Sequence, residues 1–119
     1  MRTRWFFLAL ILASIVAGLQ HWALADSLYW RFVWFDIPMH YLGGLAIGAL
    51  AVALIMRYRP RLYMAAFAAV VIGWEVFEVV IGSPREANYA FDTSLDLLIG
   101  TLGATTIYIL ARYTIWRSN

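Results

Sequence analysis

Four apolar runs, each about as long as the roughly 20 residues a helix needs to cross a hydrocarbon core, dominate this chain: about 5–25, 38–56, 62–82 and 93–111. Together they fill most of the 119 residues, so only short loops and tails remain. The expected fold is all-α: one integral-membrane four-helix bundle over 1–119, with no separate soluble domain. The composition agrees, since 64% of residues are hydrophobic and 13% charged. That is too little polar surface to clothe a water-soluble globule. With no cysteine, disulfides, thiolate metal sites and thiol nucleophiles are excluded. The basic residues are all arginine and scattered, which leaves no nucleic-acid footprint.

The first run follows Met1-Arg2-Thr3-Arg4 and ends in Ala23-Leu24-Ala25, which also reads as a signal-peptide cleavage site. Its apolar stretch exceeds the usual signal core of about 7–15 residues, so a retained helix is expected. From Asp26 to Ile37 the chain carries Tyr29, Trp30, Phe32, Trp34 and Phe35 around Arg31, a composition suited to a segment lying in the headgroup boundary. The second run is expected to start near Pro38 with Asp36 as a cap, and to end in the basic turn Arg57-Tyr58-Arg59-Pro60-Arg61. Gly82-Ser83-Pro84 stops the third, and a polar loop with Arg85 and Glu86 leads to the fourth. The residues after Ala111 read as an interfacial tail, and Trp5, Trp22, Trp30, Trp34 and Trp116 as belt anchors.

Seven arginines (Arg2, Arg4, Arg57, Arg59, Arg61, Arg112 and Arg117) fall on one side of this topology and two, Arg31 and Arg85, on the other. The positive-inside bias predicts that both termini and the central turn are cytoplasmic.

Ionisable groups inside a span are costly and therefore functional candidates. His40 lies in the second run, Glu75 and Glu78 in the third and Asp96 in the fourth, with Asp36 and Asp92 at the mouths of the second and fourth. At 1.5 Å per residue, all four intraspan groups fall roughly 20–25 Å above the cytoplasmic helix ends. Asp26, Asp36, Glu86 and Asp92 also fall outward, leaving no acid in the cytoplasmic half. Residues three or four apart share a helix face. Asp36 therefore aligns with His40, Glu75 with Glu78, and Asp92 with Asp96. Gly44 and Gly48 continue the His40 stripe, while Gly100 and Ala104 continue that of Asp96, as in close-packed membrane helices. The pattern predicts a tightly packed cytoplasmic half opening outward into a polar cup, with Gln20 and His21 at its rim.

Two glutamates one turn apart in apolar surroundings repel each other and need a cation, a proton or a basic partner. Three readings satisfy the electrostatics. One is a divalent metal (Zn, Mn, Fe or Mg) held by His40, Glu75, Glu78 and Asp96 with Asp36 or Asp92, since oxygens and one imidazole suit such ions. A second has His40 and the carboxylates of Glu75, Glu78 and Asp96 performing acid–base catalysis on a lipid headgroup or lipid-linked sugar. The third is a structural ion-pair or ligand site in a membrane binding or assembly protein, with a homo-oligomer one form it could take. Membrane lipids are partners in each case. A transporter would need polar residues continuing to the cytoplasm, and the inner half of every span lacks them.

Asp36-x-Pro38-x-His40-x-x-Gly43-Gly44, Trp74-Glu75-x-x-Glu78 and Asp92-Thr93-x-x-Asp96-Leu97 leading to Gly100 and Gly103 together resemble the VanZ-like and YjdF-like groups of small bacterial membrane proteins. The resemblance covers about two-thirds of the chain. It implies a compact multi-helix membrane fold whose His and acids form a shared polar core. VanZ-like proteins commonly read Asp-Lys-x-x-His where this chain has Asp36-Ile37-Pro38-Met39-His40.

Overall fold

A computed structural model of the chain describes residues 1–82 and 89–118. The described residues form helices and turns with no strand. In order, the elements are α1 (Thr3–Ala25), α2 (Leu28–Arg31), a 3-10 turn (Val33–Phe35), α3 (Asp36–Leu54), α4 (Pro60–Val80) and α5 (Tyr89–Tyr113). Four helical stretches, Thr3–Ala25, Val33–Leu54, Pro60–Val80 and Ala90–Tyr113, are long and apolar enough to cross a membrane. The longest dimension is 47 Å, about the 40–45 Å of a bilayer with its headgroups. The loop expected from Ser83 through Arg85 and Glu86 lies outside the described residues.

Helix boundaries follow local chemistry. Pro60, expected to close the basic turn, instead occupies the first position of α4, where its missing N–H costs nothing and its fixed φ suits a helix start. At the other end of α4, Gly82 adopts φ +69°, the left-handed conformation that stops a helix and that glycine reaches without steric penalty. The α3 helix starts at Asp36, two residues before the expected Pro38, because the 3-10 turn feeds straight into it. No side chain caps α3 at its start, so the Asp36 carboxylate is not the helix cap.

Packing centres on α3, which lies between α1 and α5, with α4 more peripheral. The α3–α5 crossing is set by glycines. A Cβ built on Gly44 would collide with the Gly100 carbonyl, and one on Gly103 would collide with the Tyr41 carbonyl and stand 3.0 Å from the Leu45 nitrogen. The two backbones touch because neither position carries a side chain. Tyr63 of α4, fully buried, donates its hydroxyl to the Ala104 carbonyl at 2.6 Å, and Phe67 packs near Gly100. The C-terminal half of α4 exposes the apolar side chains Trp74, Val76, Phe77 and Val80.

One end of the molecule is closed by arginines and aromatics. The Arg2 guanidinium donates to the carbonyls of Ile55 and Met56, both at 2.5 Å, and of Val52 at 3.3 Å, while its backbone N–H reaches the Ala53 carbonyl at 2.8 Å. These carbonyls end α3 and have no intrahelical donor. A cation there also suits the helix macrodipole. Trp116 does not anchor a belt: it is fully buried, folded back so that its N–H reaches the Ala111 carbonyl at 2.9 Å and its carbonyl accepts from Arg112 at 2.8 Å. Its ring lies under Arg2 and beside Tyr58, Tyr63 and Tyr108. The expected interfacial tail is thus, as far as Ser118, a set of turns that completes a core with Ala9, Val52, Ile107 and Ala111.

Candidate functional site

At the opposite end from the arginine closure, α3 and α5 bring three of the six nominated side chains together. The i, i+4 spacing on α3 puts Asp36 and His40 on one face, and the Asp36 Oδ1 to His40 Nε2 distance is 3.2 Å. Asp96 approaches from α5, with Oδ2 3.3 Å from the same His40 nitrogen. His40 stands one turn before Gly44, and Asp96 one turn before Gly100. The close crossing at those glycines is therefore what brings a long-range acid to a local His–Asp pair. The trio is partly buried, with the Asp96 side chain 16% exposed.

The other three nominated residues stand outside this trio. Glu75 is half-buried on α4 and close enough for its charge to act on His40. Asp92 lies in the first turn of α5, a favourable place for an anion, and acts on Asp96 from one turn away. Glu78, half-buried one turn along α4 from Glu75, is not among the groups that converge.

Two further residues border the site. Tyr29 of α2, in the stretch expected to be merely interfacial, packs edge-on to Phe35 with ring centroids 5.3 Å apart. Its hydroxyl donates to Gln20 Oε1 of α1. Burial, followed by the charges of Asp36 and Asp96, raises its pKa above the usual tyrosine value, so at neutral pH the phenol remains a donor. Only its place among polar neighbours distinguishes Tyr29 from Trp30 and Phe32, and periodicity carries no such signal. Gln20 is thus engaged by Tyr29, while His21 is exposed. Asp26 is held by the indole N–H of Trp22 at 2.6 Å.

Chemically, the trio offers one nitrogen and two carboxylate oxygens within 4.8 Å of one another. Even with His40 protonated, two carboxylates and one imidazolium leave one net negative charge, which a bound cation or a proton shared between the carboxylates would balance. Metal–ligand bonds of about 2.0–2.2 Å put neighbouring donors roughly 3.0–3.6 Å apart, from octahedral to tetrahedral geometry. The two nitrogen–oxygen separations, 3.2 and 3.3 Å, fall in that range. Such a donor set could hold a divalent ion; the same two separations are also those of direct ion-paired contacts between His40 and the two carboxylates. Comparison of the chain with known protein families, curated proteins and solved structures gives no match.

Proposed function

We propose that this chain is a multi-pass protein of the bacterial inner membrane, with both termini cytoplasmic and an outward-facing Asp36–His40–Asp96 site that binds a divalent cation. The observation that carries the reading is the approach of two carboxylates, from different helices, to a single imidazole nitrogen. The orientation is supported by the gathering of Arg2, the turn after α3 and Arg112 at one end of the molecule, opposite the trio. The positive-inside bias assigns that end to the cytoplasm. The aromatic segment before α3, with Trp30 and Trp34 exposed, then lies at the outer headgroup boundary.

In this reading, zinc, manganese, iron or magnesium bound by the trio would supply positive charge to the phosphate of an envelope lipid or glycan precursor. Glu75 lies near enough to adjust the charge of the site or to exchange a proton with a bound group. The motif resemblance to VanZ-like proteins, small membrane proteins whose His and acids share a polar core, supports this reading.

The deciding experiment is elemental analysis of the full chain purified in mild detergent, as wild type and as the variants His40→Ala, Asp96→Asn and Glu78→Gln. Wild type and Glu78→Gln should retain the same ion, while His40→Ala and Asp96→Asn lose it. Equal metal content in all four, or none in wild type after metal supplementation, would refute the cation site. Cysteine-accessibility labelling at positions 3 and 118 tests the orientation separately.

A further inference from the structure

An open groove of about 520 Å³ runs between the end of α3 and the start of α4, at the end of the molecule remote from the trio. Leu54, Ile55, Leu62 and Ala66 form its apolar wall, and Arg57 and Arg59 stand at its mouth. Both arginines are exposed, and among the described residues neither guanidinium has a hydrogen-bonding or ion-pairing partner. Three carbonyls beside them, those of Val52, Ile55 and Met56, accept from Arg2, so their partial negative charge is already countered. The described acids gather toward the other end.

We propose that this groove holds an anionic glycerophospholipid of the leaflet next to the arginines. Its headgroup phosphate is paired by Arg57 and Arg59, and an acyl chain runs along Leu54, Leu62 and Ala66. The argument is complementarity on two scales. A guanidinium presents a fork of donors matched to phosphate oxygens, and two unpartnered ones flank the mouth. The same groove is lined by Leu54, Leu62 and Ala66, apolar surface of the kind an acyl chain covers. Basic pockets between helices on the cytoplasmic side, where anionic lipids are enriched, are the expected place for such a headgroup. The site is independent of the cation site, which lies at the opposite end.

The test places the full chain in nanodiscs of phosphatidylcholine containing increasing phosphatidylglycerol and counts co-retained lipid by native mass spectrometry. Wild type should retain phosphatidylglycerol in preference to phosphatidylcholine. Arg57→Gln/Arg59→Gln should weaken that retention roughly 30-fold, at about a fivefold loss per arginine. Arg57→Lys/Arg59→Lys, which keeps the charge and loses the fork, should retain the preference only in part; full retention would overturn pairing by the guanidinium fork. Ala66→Phe, which fills the trough and leaves every arginine in place, should also abolish the preference. Equal retention of the two lipids by wild type overturns the proposal without reference to any variant. An unchanged preference in Ala66→Phe reduces the effect to general surface charge and also overturns it. So does displacement of the lipid by millimolar inorganic phosphate, which would make the groove a site for a free anion.

Discussion

Replacing Gly44 with alanine should separate the two halves of the candidate site while leaving the local pair intact. The added Cβ would lie 2.9 Å from the Gly100 carbonyl carbon and 3.1 Å from its Cα. The Gly100 carbonyl oxygen would be closer still, deep inside contact distance, so α3 and α5 must part locally by about 1 Å or more. The His40–Asp96 contact, 3.3 Å across that crossing, would then stretch to roughly 4 Å, beyond hydrogen-bonding range. The His40–Asp36 contact lies within α3 and does not change. Overpacking of this kind costs about 1–3 kcal/mol. Gly43 is the control: nothing lies within 4 Å of a Cβ there, so Gly43→Ala should be neutral or gain up to about 1 kcal/mol from helix propensity. The assay is reversible unfolding in mixed micelles, followed by circular dichroism, with a double-mutant cycle between His40→Ala and Asp96→Asn. The cycle should give a coupling of about 0.5–3 kcal/mol in the native background and close to none with Gly44→Ala. A parallel cycle between His40→Ala and Asp36→Asn should be the same in both backgrounds. If Gly44→Ala is as stable as Gly43→Ala and keeps the His40–Asp96 coupling, the glycine crossing does not position the site.

Trp116→Ala should lower stability by about 3–5 kcal/mol, as for other buried aromatic truncations; a belt anchor would lose far less in the same micelle assay. Tyr63→Phe removes a buried donor from the Ala104 carbonyl and should cost about 1 kcal/mol, with the helical content by circular dichroism unchanged. Because the folded protein holds the Tyr29 proton more tightly than the unfolded chain, its contribution is fully present below the ordinary tyrosine range and lost as pH rises through the raised value. Wild-type stability should therefore fall more steeply than that of Tyr29→Phe across that alkaline range, and parallel pH profiles would contradict the burial of the phenol.

The helices were legible because run length and turn chemistry act locally: an apolar stretch of about 20 residues has few alternatives to a helix. Boundaries were less so where one residue serves two rules. Pro60 ends one helix and begins the next equally well, and only the path of the chain decides. The Asp36–His40 alignment follows from helical period alone. Asp96 is different, because its approach depends on the angle at which α5 crosses α3, a consequence of two backbones touching at Gly44, Gly100 and Gly103. Glu75 and Glu78 share a face by the same period rule, yet their distances from the trio depend on the tilt of α4, which no spacing encodes. Trp116 was misread for a related reason. A tryptophan beyond a span usually marks the interface, and here Arg112 and Arg2 fold it inward through contacts far apart in sequence.

The bonds from Arg2 to carbonyls 50, 53 and 54 residues ahead also dictate an order of assembly in the ribosome-bound chain. Arg2 is made before its acceptors, which emerge only once α3 is complete, and Trp116, which covers the same guanidinium, follows both. Until α3 is complete, Arg2 lacks all of these carbonyl acceptors. The clasp therefore closes only after Trp116 has been made, when the start of α1, the end of α3 and the turns after α5 meet.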